Sequence, residues 1–223
     1  METCVSEDDF MKLPYYPIFL KISAKECVVI GGGQIALRKV KALLDAGAKV
    51  KVISPDLCLE LNRLAEAEQI SVKKRLFQPG DLEGALITVA ATDDNSINIE
   101  VANEAKEKGI LDNVVDDPGN SDFIVPSYLR RGDITIAVST SGRSPALARK
   151  IRSRIEKDFG NEYATLVQLV DEVRTEIRSQ GIKVNGEDWQ QALDLDLLIN
   201  LLKKNDKEQA RNLLLSNLKA LQR

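Results

Sequence analysis

Residues 26–39, ECVVIGGGQIALRK, run from an apolar stretch into three glycines and at once into a helical pattern. Gly31, Gly33 and Ala36 fit G-x-G-x-x-G/A between a strand and a helix, the context that motif requires. The first glycine permits a tight turn, and the second lets the backbone approach a pyrophosphate. The small third residue packs helix on strand. Helix N–H groups and the positive end of the dipole favour phosphate charge. A turn that binds nothing is the bland alternative, and the surrounding strand–helix–strand pattern favours a dinucleotide.

That pattern continues outward. QIALRKVKALLDAG predicts a helix with Ile35, Val40, Leu43 and Leu44 on one face, closed near Gly47. Strands are expected at 49–54, 71–77, 85–92 and 110–115, with SVKKRLF (71–77) the most polar and nearest an edge. Helices are expected within 57–69 and 95–109. Such alternation implies an α/β, Rossmann-like parallel sheet of about five strands, covered on both faces. After it, DFIVPSYLRRGDITIAVST (122–140) reads as a hairpin around Arg131-Gly132-Asp133, with Pro126 marking an edge or bulge. Beyond Pro145 the spacing is helical, interrupted at 181–186. The reading gives a dinucleotide-binding domain at 1–115, a small α+β segment at 116–150 and a helical region at 151–223.

Composition narrows the chemistry. The 223 residues are 43% hydrophobic and 29% charged with a net charge of −3, so no bulk field draws nucleic acid, and aromatics are only 4%. No apolar run approaches the ~20 residues of a membrane span. The acidic start, METCVSEDDF, is unlike a basic signal peptide. Cys4, Cys27 and Cys58 share no metal-like spacing, which suits a reducing cytoplasm. There is no histidine, which excludes imidazole bases, His triads and His zinc sites.

Candidate ligand contacts lie at the strand ends. Asp56, after Ser54-Pro55, is the acid nearest the position expected for a ribose ligand, and no arginine follows directly, which leans toward NAD over NADP. Thr92 and Asp93 follow the fourth strand, although an Asp there is often a helix N-cap. Asp116 and Asp117 follow the fifth strand, where Asp-Pro-Gly-Asn is also ordinary turn chemistry. With no histidine available, a carboxylate here is the best-placed general base. Like-charge repulsion within Asp116, Asp117 and Asp122 is expected to raise the pKa of one of them. Between 127 and 160, eight Arg and Lys face three acids. Within that window Ser139, Thr140, Ser141, Gly142, Arg143 and Ser144 form a donor-rich turn before a helix that starts at Pro145. With Arg130 and Arg131, the turn suits a polycarboxylate or phosphate as well as it suits a solvated basic face.

Five linked motifs resemble the precorrin-2 dehydrogenase family, the NAD-binding half of siroheme synthase. They are YPIFLKI (16–22), residues 27–55, AATDDNSIN (90–98), NVVDDP (113–118) and the pair FIVPS (123–127) and AVSTSGRSPALARKIR (137–152). The resemblance implies NAD-dependent oxidation of precorrin-2 to sirohydrochlorin, a homodimer built through the segment after the Rossmann-like domain, and Asp116 as the essential carboxylate. It implies nucleotide contacts at Gln34, Ile35, Pro55 and Asp56. It allows insertion of Fe²⁺ through the same Asp116, with no stable metal site, and sets Thr140 where some members carry a phosphorylated serine. Two other readings stay open: an NAD(H)-sensing regulatory module without catalysis, and a chelatase without dehydrogenase activity.

Overall fold

The computed structural model describes residues 15–221. The acidic start at 1–10, with Cys4, lies outside the described residues. The chain divides into two compact units, 1–125 and 126–223.

In the first unit β1 (Glu26–Ile30) is the central strand. Four of its five residues are buried because both of its faces are covered: Cys27 and Val29 enter one core cluster, Val28 and Ile30 the other. That double burial explains the unbroken apolar run, where a one-sided strand would alternate. The remaining elements follow in order: α1 (Gln34–Asp45), β2 (Lys49–Ile53), α2 (Leu59–Glu66), β3 (Ser71–Lys73), β4 (Ile87–Ala90), α3 (Asn95–Lys108) and β5 (Leu111–Val114). The five strands stand in the order β3-β2-β1-β4-β5, and every pairing is parallel. The order reverses between β1 and β4, which opens a crevice beyond their carboxyl ends.

Two expectations change here. Ile35 is exposed, and α1 turns Ala36, Leu37 and Val40 inward, with Leu43 and Leu44 partly buried. The apolar stripe therefore starts one residue later, at Ala36. The strand expected at 71–77 stops at Lys73. Beyond it Arg75 turns onto buried Asp81, donating to both carboxylate oxygens at 2.6 Å while Lys73 donates at 2.9 Å. This cation pair holds the Asp81 carboxyl well below the usual range, led by the Arg75 hydrogen bonds.

The first unit extends past the strand end at 114 because residues 117–123 fold back on β5. Ser121 Oγ accepts from Val114 N at 2.9 Å, Asp122 N donates to Asp112 O at 3.0 Å, and Asn113 Nδ2 donates to Phe123 O at 3.0 Å.

The second unit opens with an antiparallel ribbon, β6 (Ser127–Arg131) and β7 (Ile134–Val138), turning at Gly132. Pro126 precedes β6, where its missing N–H costs no ladder bond. A two-stranded ribbon is marginal alone, and α4 (Pro145–Asp158) packs against it. Arg131 ties the two by donating to Phe159 O at 3.1 Å and to Glu156 at 3.3 Å. Helices α5 (Glu162–Ser179), α6 (Gly186–Ala192), α7 (Leu195–Lys203) and α8 (Lys207–Ala220) close a separate core around Leu169, Leu198 and Leu214, all fully buried. Replacing any of those leucines by alanine costs about 2–5 kcal/mol. Among the described residues, no helix is long and apolar enough to cross a membrane.

Candidate functional site in the first unit

The glycine turn packs against both neighbouring strand ends. Gly31 has φ +122°, and a Cβ there would stand 2.3 Å from Ala91 O. A Cβ on Gly32 would stand 1.8 Å from Asp56 O. Both glycines are therefore demanded by the protein's own backbone. Gly33 is different: its φ is −83°, and a Cβ would meet nothing within 4 Å. It caps α1 with no side-chain partner, at the point where the helix N–H groups face outward. The protein leaves this space empty and exposes Gln34 and Ile35 beside it. A backbone cradle of that form fits a dinucleotide pyrophosphate.

Backbone bonds hold the walls of the crevice. Gly31 N donates to Ile53 O at 2.9 Å, Ala91 N to Ile30 O at 2.8 Å and Cys58 N to Gly32 O at 2.8 Å. In the loop after β2, Ser54 Oγ donates to Asp56 O at 2.7 Å, leaving Pro55 and the Asp56 carboxylate exposed. After β4, the buried Asn98 organises Thr92: Thr92 Oγ1 and N approach Asn98 Oδ1 at 2.8 and 3.2 Å, and Asn98 Nδ2 donates to Thr92 O at 3.0 Å. The helix cap is Asp94, which accepts from Ser96 N and Ile97 N. That role leaves Asp93 exposed and uncommitted. Asn98 was not singled out from sequence, although its place one turn after Asp94 marks it as a capping neighbour.

At the end of β5 the two aspartates separate. Asp117 accepts from Gly119 N and Asn120 N and is drawn below its ordinary pKa, chiefly by Asn120. It carries the turn chemistry. Asp116 is exposed in left-handed backbone at φ +60°, a conformation that costs a non-glycine residue roughly 1–3 kcal/mol. The carboxyl that Asp122 helps to raise is Asp112, a residue the sequence did not single out. Buried at 4% exposure beside Asp122, Asp112 is pushed up to about 6 by burial and by the neighbouring carboxyl. Its Oδ2 has no hydrogen-bond partner among the described residues. Only the fold-back of 117–123 brings the pair together, so residue spacing gave no sign of it.

In the second unit, residues 139–144 form the expected turn. Ser139 Oγ accepts from Ser141 N and Thr140 Oγ1 from Ser144 N, both at 3.0 Å. Ser141 and Gly142 have positive φ. Ser144 caps α4 by accepting from Leu147 N at 3.2 Å, ahead of Pro145. Arg130 and Arg143 are exposed, whereas the Arg131 guanidinium is spent on Phe159 and Glu156.

The sheet order and the glycine turn define a Rossmann-type protein of the NAD(P)-binding class, and a family described as putative NAD(P)-binding matches residues 18–127. A second family, sirohaem biosynthesis protein central, matches residues 131–158. Siroheme synthase of Methylococcus capsulatus is 42% identical over 166 residues, covering 74% of this chain and 35% of that one. Siroheme synthase of Nitrosococcus oceani is 39% identical over 183 residues, covering 81% and 39%. The chain thus spans between a third and two-fifths of the length of these relatives. The solved structure of SirC, precorrin-2 dehydrogenase, aligns over 92% of this chain and all of its own with a TM-score of 0.68 at 23% identity, a shared fold. The chain is thus similar to siroheme synthases over a stretch that includes both the putative NAD(P)-binding match and the sirohaem biosynthesis protein central match.

Proposed function

We propose that the protein oxidises precorrin-2 to sirohydrochlorin with NAD, and that Asp116 takes the proton released. The observation that carries this is one sheet edge bearing two unspent features, the open cradle at Gly33 and the strained, exposed Asp116. The turn closed by Asp117 N on Val114 O accounts for the left-handed backbone of Asp116 but not for its free carboxylate, and a strand-to-helix turn does not need the open cradle. Bound NAD supplies the hydride acceptor. Gly31 and Gly33 shape the turn around the pyrophosphate, Gln34 and Ile35 flank it, Pro55 and Asp56 meet the ribose, and Thr92 and Asp93 line the far wall. Asp116 accepts a proton at its carboxylate, a role no imidazole can fill in this chain.

In the second unit, Ser139, Thr140, Ser141, Gly142, Arg143 and Ser144, with Arg130 and Arg131, form the element proposed to bind the substrate's carboxylates. Arg131 would have to leave Glu156 to take part. The reading also includes a homodimer, a cytoplasmic location and Fe²⁺ as a second substrate at Asp116.

The test is anaerobic incubation of the protein with NAD and precorrin-2, following NADH and the tetrapyrrole spectrum before and after Fe²⁺ is added. Substrate-dependent NADH supports the dehydrogenase. NAD binding without turnover favours the sensing module, and iron insertion without NADH the chelatase. Asp116→Ala is expected to nearly abolish turnover and keep NADH binding. Normal activity in that variant removes Asp116 from the chemistry.

A further inference from the structure

Helix α1 carries three basic residues in four positions, and the middle one behaves differently. Arg38 and Lys41 are exposed, whereas Lys39 is half-buried. Its Nζ donates to Asn113 Oδ1 at 2.7 Å, and Asn113, itself buried, is held by donating to Phe123 O at 3.0 Å. Helix side chains lean toward the N-terminus, so Lys39 reaches toward the edge where the glycine turn opens. Asn113 pairs with Val89, one residue before the end of β4, which sets the ammonium just beneath the carboxyl ends of β4 and β5.

A helix-to-sheet tie does not require a charge. A neutral donor would satisfy Asn113, and an apolar side chain would fill the space without the cost of desolvating an ammonium. Asn113 engages one of three N–H donors, and among the described residues no carboxylate stands within ion-pair distance. Burial pushes Lys39 below its ordinary pKa, exposed Arg38 pushes the same way, and Asp116 is the carboxylate acting against both. Asp116 follows the end of β5, three residues beyond the Asn113 side chain that anchors Lys39.

We propose that Lys39 is a positioning residue for Asp116: pinned by Asn113, its ammonium lies under the end of β5 and draws the Asp116 carboxylate into the orientation that meets the substrate. The catalytic consequence rests on the proposed dehydrogenase reading, while the proposed influence of Lys39 on the Asp116 carboxylate does not.

The test uses the full chain with Lys39→Gln, which keeps a donor and loses the charge, Lys39→Arg, which keeps the charge, and Lys41→Met as a control on an exposed neighbour. In Lys39→Gln, kcat for precorrin-2-dependent NADH formation falls about 10–100-fold, the KM for NAD stays within about twofold and Lys39→Arg recovers most of the loss. The ¹³C carboxyl resonance of Asp116 moves in Lys39→Gln and stays in place in Lys41→Met. Unchanged kcat in Lys39→Gln, equal loss in Gln and Arg variants, or an unmoved Asp116 resonance each overturns the proposal. A wild-type protein that makes no NADH from precorrin-2 removes the functional reading instead, and the resonance then decides alone whether Lys39 acts on Asp116. If Lys39→Gln fails to fold, Lys39→Met takes its place, and an Asp116 resonance that does not move in that uncharged variant overturns the proposal.

Discussion

Gly31 backs directly onto Ala91: a single added carbon would stand 2.3 Å from that carbonyl, while the same carbon on Gly33 would touch nothing. Gly31 is therefore required by the fold, whereas the space at Gly33 is open to the proposed ligand. Gly31→Ala is expected to lower the thermal midpoint by several degrees, since it combines a backbone clash with a positive φ. Gly33→Ala is expected to keep the midpoint within about 2 °C and to weaken NADH binding at least about tenfold. Paired melting curves and fluorescence titrations check both. Equal effects in the two assays would refute the division.

Asn98 is expected to matter through Thr92. It is buried and shares three contacts with the Thr92 backbone and hydroxyl. Asn98→Ala leaves those groups without partners and should cost about 1–3 kcal/mol by urea denaturation, with weaker dinucleotide binding as the loop loosens.

Asp112 sets a pH dependence of unusual sign. Its folded pKa, about 6, lies above the ordinary 3.8. The native state therefore binds more protons than the unfolded chain between those values, and stability from this group falls as pH rises from about 4 to about 6. Asp112→Asn should flatten that fall and raise the urea midpoint at neutral pH. A slope unchanged by the substitution would count against the Asp112–Asp122 pair as its source.

Asp81 works in the opposite direction. Lys73, Arg75 and Gln78 N hold its carboxyl below the ordinary range, so its contribution is complete above that range and is lost as pH falls through its folded pKa. Asp81→Asn should lower the urea midpoint at neutral pH and narrow the gap to wild type in strong acid. A gap that persists at low pH would show that packing, not charge, holds the loop.

Much of the fold was legible because its signals are local. The run 26–30 needed both faces buried, the glycines followed it at once, and Gly109 takes the left-handed conformation its place after a helix suggests. What escaped depends on contacts between distant residues. SVKKRLF has strand composition, yet Asp81 captures Arg75 and ends the strand. The pairing of Asp112 with Asp122 needs a chain reversal that no periodicity announces. Lys39 was partly legible: positions 36, 39, 40 and 43 share a helical face, so a lysine there is a cation turned inward. At Asp116 and Asp117 the spacing showed two acids, and only the hydrogen bonds separate the turn former from the free carboxylate.

The clamp between Gly32 and the loop after β2 has a consequence for how cofactor preference can change. Cys58 N holds Gly32 O, and Asp56 O lies where any side chain on Gly32 would go. The glycine turn and the loop after β2, proposed to meet the pyrophosphate and the ribose, are therefore tied together. Little order has to be imposed when a dinucleotide arrives, which spares affinity. The same tie couples the two halves of the proposed recognition, so rebuilding residues 54–58 for a 2′-phosphate is expected to move the turn proposed to hold the phosphates.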